Sequence, residues 1–191
     1  MNDEIQKNVK ELQHAIIVAG LNYEIWWTYK EKESRKRYVD ILNKYPLFFQ
    51  TSLHAHFVAM IVSLYRLYET RKDTVNLPQL LKILKSQDSI PNQELKKIES
   101  EIKKIKPLWV KVSVLRNKMF GHRSNALNDD GIWKEAKVTP NQFKQLIDES
   151  KRILNEITSL WNRSSHAFNL SSTKDTVNLL EDLKQLNESQ I

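Results

Sequence analysis

The sequence predicts an all-α protein, an up-and-down bundle of about six to eight helices. Its 191 residues include only three glycines and five prolines, whereas average usage would give roughly 13 and 10. Sheet proteins need those residues for their many tight turns. Apolar residues also recur every three or four positions, which is the period of an amphipathic helix. The length suits one domain, so we expect a bundle over residues 1–170 and a C-terminal helical appendage, not an independent domain, over residues 171–191.

The first three predicted helices supply much of the core. A helix from about Asp3 to Glu31 has apolar residues at alternating steps of four and three, the seam of a long packed helix. A short polar helix, Ser34–Lys44, ends before Pro46. Proline is tolerated in a first helical turn, so the next helix should begin near Pro46 and reach about Thr70. That third helix is apolar over more than half its girth and is predicted to be the most buried element.

The second half of the chain is predicted to be helical except for one loop. Pro107 should end a helix, because proline has no N–H and clashes with the preceding turn, and Gly121 should end the next one. The loop covers residues 124–137, with a turn at Asn128–Gly131. The predicted helices are Leu77–Lys85, Gln93–Lys106, Leu108–Phe120, Pro140–Arg163 and Lys174–Leu186.

Several classes of function lack the residues they need. The absence of cysteine excludes disulfides, thiolate nucleophiles and cysteine-based zinc sites. The three glycines are too far apart for a P-loop or a dinucleotide fingerprint, and the five histidines form no H-E-x-x-H. The longest apolar run is the seven residues Ala15–Leu21, well below the ~18–20 of a membrane span. We therefore expect a cytoplasmic protein with no cofactor, no metal and no membrane partner.

The positive charge is concentrated in one segment. The net charge is +7, and the stretch from Lys96 to Arg123 holds nine basic residues against only Glu99 and Glu101. All of the excess charge lies there, which suits a phosphate-rich partner. The alternative is a solvated lysine face on a surface helix.

Three other groups of residues have both a functional and a packing interpretation. His54 and His56 point about 200° apart on a helix, so they cannot hold one metal ion together, and one of them is better explained as a hydrogen-bonded histidine. Trp26 and Trp27 could stack on bases, but aromatic residues at helical spacing favour the core. The run 64–69 is read as packing, with Arg66 and Glu69 as a candidate ion pair.

One segment combines residues with chemical potential. Arg116 is a permanent cation whose planar fork matches phosphate oxygens, Asn117 is an amide, and His122 can exchange a proton near neutral pH. On an ideal helix Arg116 and His122 would not share a face, because six residues turn about 600°. The helix must therefore end or distort near Gly121, or the two groups must meet across a dimer.

These residues resemble the signature of the HEPN superfamily, an Arg and a polar residue followed at a short distance by His. The long first helix with Trp26-Trp27, the run 64–69 and Leu115–His122 are together similar to the AbiU-type abortive-infection branch, over roughly residues 3–165. The resemblance implies a bundle that dimerises so that two motifs line one cleft. It also implies metal-independent endoribonuclease activity in toxin–antitoxin or phage-defence systems, with Arg116 and His122 as the active pair and Asn117 as a helper.

The resemblance has one departure and leaves one alternative. Many toxins paired with nucleotidyltransferase antitoxins carry a modifiable Tyr two places after the His, whereas this chain has Ser124. Some superfamily members are inactive, so a non-catalytic module that binds RNA or protein is the alternative. The expected partners are RNA (single-stranded or tRNA-like), a second copy of the chain and a cognate antitoxin. The candidate RNA-binding residues are Lys103, Lys104, Lys106, Lys111, Lys118 and Arg123.

Overall fold

The structure is a computed structural model that describes residues 2–121 and 129–189. Within these residues it contains nine α-helices, one π-helical segment and no strand, so the all-α prediction is confirmed. The π-helical segment is Arg116–Gly121. The α-helices are α1 (Asn2–Lys30), α2 (Lys32–Arg37), α3 (Val39–Lys44), α4 (Pro46–Tyr68), α5 (Leu77–Ser86), α6 (Asn92–Leu115), α7 (Asp129–Ala136), α8 (Pro140–Asn162) and α9 (Thr173–Glu188).

The core lies where α1 packs between α4 and α8. The predicted seam of α1 is buried throughout. Burying each such side chain contributes about 1.5–3 kcal/mol. The buried seam consists of Ile5, Val9, Leu12, Ile16, Ala19, Tyr23 and Trp26.

The prediction that the helix beginning at Pro46 is the most buried element is wrong. Helix α4 buries one face, with Phe57, Ile61 and Leu64 in the core, but Leu47 and Phe48 are 78% and 60% exposed. The apolar side chains of α4 are therefore divided between the core and an exposed outer face. The narrower apolar stripe of helix α1 is buried from Ile5 to Tyr29.

Proline 107 does not interrupt its helix, contrary to the prediction. Helix α6 is continuous from Asn92 to Leu115, and Pro107 is exposed. A proline inside a helix costs about 3 kcal/mol. Ile98, Ile105 and Val112, seven residues apart, are all buried, and this stripe, about 1.5–3 kcal/mol for each side chain, offsets the penalty.

Two further boundaries differ from the prediction. The predicted loop 124–137 contains helix α7, whose Ile132 and Ala136 are buried; residues 122–128 lie outside the described residues. The i, i+4 spacing of these two apolar residues outweighs the turn-forming Asn128–Gly131. The predicted helix Ser34–Lys44 is split into α2 and α3 at Tyr38, whose ring is buried.

The C-terminal helix packs on the bundle. Leu180 of α9 is buried with Tyr29 of α1 and Ile41 of α3. At the start of α9 the Glu24 carboxylate accepts hydrogen bonds from the backbone N–H of Ser172, at 2.7 Å, and of Thr173, at 3.2 Å. These bonds satisfy N–H groups that a helix leaves unpaired at its first turn.

Helix α4 is also the one described helix that is long and apolar enough to cross a membrane. Its most apolar stretch of 18 residues has a mean hydropathy of 1.4, and 28% of that stretch is buried. The core helix of a soluble protein passes the same test of length and composition. The low buried share reflects the exposed outer face of α4.

Candidate functional site

The helix that carries the motif changes its winding at Arg116. Helix α6 ends at Leu115 and continues as the π-helical segment, with i→i+5 hydrogen bonds and a wider turn. Phe120 fixes this segment on α4, with ring centres 6.0 Å from Phe57 and 5.9 Å from His54. The distortion expected near Gly121 is therefore present, and it begins at Arg116. Short π-helical segments occur frequently at functional sites.

The Arg116 guanidinium is held against an aromatic ring. Its central carbon lies 4.8 Å from the centroid of Tyr65, a cation–π distance. Its Nη1 donates a hydrogen bond to Asn117 Oδ1 at 3.0 Å. In the part of the chain that the structure describes, no carboxylate pairs with Arg116. The guanidinium is thus fixed in place while its remaining N–H donors are available to a phosphate.

Tyr65 is in turn fixed by Trp109, which ties α4 to α6. The two rings stack with centres 5.8 Å apart and an interplanar angle of 26°. The Trp109 indole N–H donates to the Tyr65 carbonyl oxygen at 3.0 Å. The Tyr65 ring therefore contacts both Trp109 and Arg116, and packing between α4 and α6 positions the cation.

The rest of the motif is described only in part. The Asn117 side chain is exposed, and its amide oxygen orients Arg116. His122 and Arg123 lie outside the described residues. In the sequence His122 directly follows Gly121, the last residue of the π-helical segment.

The candidate RNA-binding lysines do not form one surface. Lys104 and Lys111 lie on the α8 side of α6. Lys104 pairs at 2.6 Å with Glu101, which also binds Arg152 of α8, and Lys111 Nζ donates to Gln142 Oε1 of α8 at 3.0 Å. Lys118 is paired with Glu135 of α7. Lys103 and Lys106 open instead onto a groove beside α5. The basic segment is thus divided between two faces of α6.

The histidine pair on α4 has no shared ligand. The prediction of one hydrogen-bonded histidine is confirmed: His56 Nδ1 lies 2.7 Å from Asn22 Oδ1, and burial lowers the pKa of this imidazole. His54 is exposed and contacts Phe120. In residues 2–121 and 129–189 no three His, Asp or Glu side chains are grouped as metal ligands would be.

Trp26 is explained by packing, whereas Tyr65 of the run 64–69 also carries Arg116. Trp26 is buried, with its ring centre 5.4 Å from Phe57 and 6.0 Å from Phe143. The proposed Arg66–Glu69 pair is wrong, because Arg66 Nη2 lies 3.1 Å from Glu11 Oε2 of α1 instead.

Comparison with known families identifies the relatives of this bundle. The family model HEPN_AbiU2, described as AbiU2, matches residues 2–180. The chain belongs to this AbiU2 family of HEPN domains. The match extends from α1 into α9 and includes Arg116, Asn117 and His122. The resemblance stated from the sequence is confirmed. No curated protein and no solved structure matched the chain.

For this AbiU2 chain, sequence reasoning missed the two aromatic residues that position Arg116. From the sequence, Tyr65 is read as packing within the run 64–69, and Trp109 is not singled out. A usable signal exists: Trp109 and Arg116 are seven residues apart, so on a helix they lie nearly on the same line. A tryptophan two turns before a motif arginine can indicate a stacking partner.

Proposed function

We propose that this AbiU2 chain is a metal-independent endoribonuclease of an abortive-infection or toxin–antitoxin system. Membership of the HEPN family supports an RNase-like role. The observation that carries the proposal is the fixed position of Arg116, which lies on Tyr65 without a described carboxylate partner at the start of the π-helical segment. A preorganised cation of this kind stabilises developing charge without reorganisation during the reaction.

The reaction uses a nucleophile that RNA already contains. The 2′-oxygen attacks the adjacent phosphorus, the bond from phosphorus to the 5′-oxygen breaks, and the products are a 2′,3′-cyclic phosphate and a 5′-hydroxyl. The proton from the 2′-hydroxyl goes to a base, and an acid supplies one to the leaving 5′-oxygen. His122 can perform either transfer. Arg116 binds the non-bridging oxygens, whose charge grows in the phosphorane, and Asn117 orients Arg116.

The reaction needs two proton transfers, which two histidines can perform. Because each chain carries one motif histidine, we propose a homodimer in which two motifs line one cleft. The seam of α1 cannot form the contact with a second copy, because it is buried within the protomer. Helix α4 offers a different surface. Exposed residues on its outer face recur three, four or seven positions apart, and we call them the α4 outer stripe: Leu47, Thr51, His54, Ala55 and Val62.

The position of the α4 outer stripe suits this dimer. Tyr65, which carries Arg116, follows Val62 by three residues and therefore borders the stripe. His54, within the stripe, contacts Phe120 of the π-helical segment. Packed helices lie about 8–10 Å apart, so two copies joined along this stripe would bring their motif segments close together.

The test is cleavage of defined RNA by purified protein in the presence of EDTA. We expect cleavage with and without the chelator, 2′,3′-cyclic phosphate ends by mass spectrometry, and no cleavage when the scissile nucleotide carries a 2′-deoxy sugar. The His14→Ala variant, which removes an exposed histidine of α1 outside the motif, is the matched control and should cleave normally. Cleavage of the 2′-deoxy substrate would contradict the mechanism.

The non-catalytic alternative is decided by the same experiment. A module that only binds RNA would retain the substrate and leave it intact. The RNA target, a cognate antitoxin and a cytoplasmic location stay predictions. Because position 124 is Ser, modification of a tyrosine two places after His122 is not proposed as the control of this chain.

A further inference from the structure

We propose that the groove between α5 and α6 binds an acidic amphipathic helix of a partner protein. The groove has a volume of about 440 Å³ and is also lined by Tyr68, the last residue of α4. Its base is apolar, with Leu81 and Pro78 from α5 and Ile102 and Trp109 from α6. A volume of this kind accepts several apolar side chains presented on one face of a helix.

The rim of the groove is basic on both sides. Lys82 and Lys85 line it from α5, and Lys103 and Lys106 line it from α6, all four exposed. Glu99 is the one carboxylate in the lining. These lysines would face the acidic residues that flank the apolar face of a bound helix.

These four lysines differ from several lysines of the basic segment, which are paired. Lys97, Lys104 and Lys118 each pair with a carboxylate. Within the described residues none of the four rim lysines has an ion-pair partner, although Glu99 lies in the same groove. The unpaired charge therefore collects around an apolar surface, which is the complement of an acidic amphipathic helix.

The groove base suits a peptide better than a nucleobase. A base needs hydrogen-bond partners for its edges, since leaving a polar group unpaired costs about 1–3 kcal/mol. The Trp109 N–H is already donated to the Tyr65 carbonyl, and the Tyr68 hydroxyl is bonded to Ser150 at 2.7 Å. One face of Trp109 is covered by Tyr65. Leucine-like side chains need no such partners.

The occupied groove would also affect RNA, and this consequence rests on the proposed function. Lys103 and Lys106 are candidate phosphate contacts, so a partner helix lying on them would exclude RNA from that part of the surface. The peptide-binding measurement below contains no RNA. If the chain binds the peptide but does not cleave RNA, only the proposed function is therefore overturned.

The test uses three fluorescent peptides of about 16 residues, a length of about 24 Å as a helix. The first has leucines at i, i+3, i+4 and i+7 flanked by glutamates, the second has lysines in place of the glutamates, and the third has serines in place of the leucines. Binding to the full-length chain is measured by fluorescence anisotropy. We expect the acidic leucine peptide to bind at least about tenfold more tightly than either of the others, as charge and apolar complementarity together require.

Two pairs of lysine variants locate the binding. Lys82→Glu/Lys85→Glu reverses the α5 rim and should weaken binding of the acidic peptide by about tenfold. The matched control is Lys7→Glu/Lys10→Glu, which reverses two exposed lysines at the same spacing on α1 and should leave binding unchanged. Circular dichroism confirms that both variants are folded.

Three results would overturn the proposal. The acidic leucine peptide could bind no better than the lysine or serine peptide, or the α5 variant could bind it like the wild type. The third result has two parts: the wild type binds none of the peptides, and the α5 variant loses affinity for a 12-nucleotide single-stranded RNA. That result would assign the groove to RNA.

Discussion

The guanidinium of Arg116 lies on the ring of Tyr65, 4.8 Å from its centroid. Tyr65 belongs to α4 and Arg116 to the π-helical segment that follows α6, so the contact joins two elements of the bundle. Trp109 stacks on the same tyrosine. The motif arginine is therefore positioned by the packing of α4 against α6, and its geometry depends on residues outside the motif.

Removing the Tyr65 ring should reduce cleavage through Arg116. Tyr65→Leu removes a cation–π contact worth about 0.5–2 kcal/mol, so we expect kcat/KM to fall about two- to thirtyfold. Tyr65→Phe keeps the ring and should remain within about twofold of the wild type. Thermal melting of each variant separates this effect from loss of stability. Cleavage by Tyr65→Leu at the wild-type rate would show that the stack does not position Arg116.

The unpaired lysines should contribute more to RNA binding than the paired ones. Lys103→Gln/Lys106→Gln should flatten the dependence of log K on log salt by about 0.7 for each lost phosphate contact. Lys104→Gln/Lys118→Gln should change it less, because these lysines are paired with Glu101 and Glu135. Affinity is measured between low and moderate salt with uncleavable RNA. Equal slopes for the two variants would contradict the division of the basic segment.

Charge on the α4 outer stripe should separate the dimer. Light scattering of the wild type should give about twice 22.6 kDa, and Leu47→Glu/Val62→Glu should give the monomer, because it buries two carboxylates in an apolar contact. Leu186→Glu on α9, where the leucine is 59% exposed, is the matched control and should stay dimeric. A monomeric wild type at micromolar concentration would contradict the composite cleft.

Folding stability should fall as the pH drops through the histidine range. Burial lowers the pKa values of His56 and His166, so below the ordinary value of about 6.5 the unfolded chain binds more protons than the folded one. The free energy of unfolding therefore rises with pH from the lowered pKa values to about 6.5. Urea unfolding between about pH 5.5 and pH 7 measures this slope, above the carboxylate range.

The double variant His56→Gln/His166→Gln isolates these two groups. It should flatten the pH dependence of the free energy of unfolding in that window, because the titrating imidazoles are gone. An unchanged slope in the variant would assign the dependence to other groups.

The fold could be predicted from the sequence wherever burial follows a regular period. The apolar residues of α1 and α8 recur at helical spacing and are buried, so these two helices were predicted correctly. Pro107 misled the prediction because local propensity disfavours it in a helix, while the stripe Ile98, Ile105 and Val112 stabilises the helix on both sides. Helix α7 was predicted to be a loop because turn-forming residues lie at its start.

The candidate site was predictable only at the level of the motif. Arg116 and Asn117 could be selected from residue type and order. The contacts that decide their roles cannot be read from the sequence, since Tyr65 and Arg116 are 51 residues apart and Lys118 meets Glu135 only after α7 folds back. The concentration of positive charge in the sequence suggested one RNA-binding surface for six basic residues. In the structure, the five of them that are described lie on different faces of the helix.

The measurement that tests the central claim most directly compares cleavage and binding in the His122→Ala variant. Rates are measured in EDTA with excess enzyme, and affinity is measured on the same RNA with a 2′-deoxy scissile nucleotide. We predict that cleavage falls by at least about a hundredfold, as expected for loss of a general acid or base, while affinity stays within about threefold, because the neighbouring cations supply most of the binding. Cleavage by His122→Ala at the wild-type rate would contradict the assignment of this chain as a HEPN ribonuclease acting through Arg116 and His122.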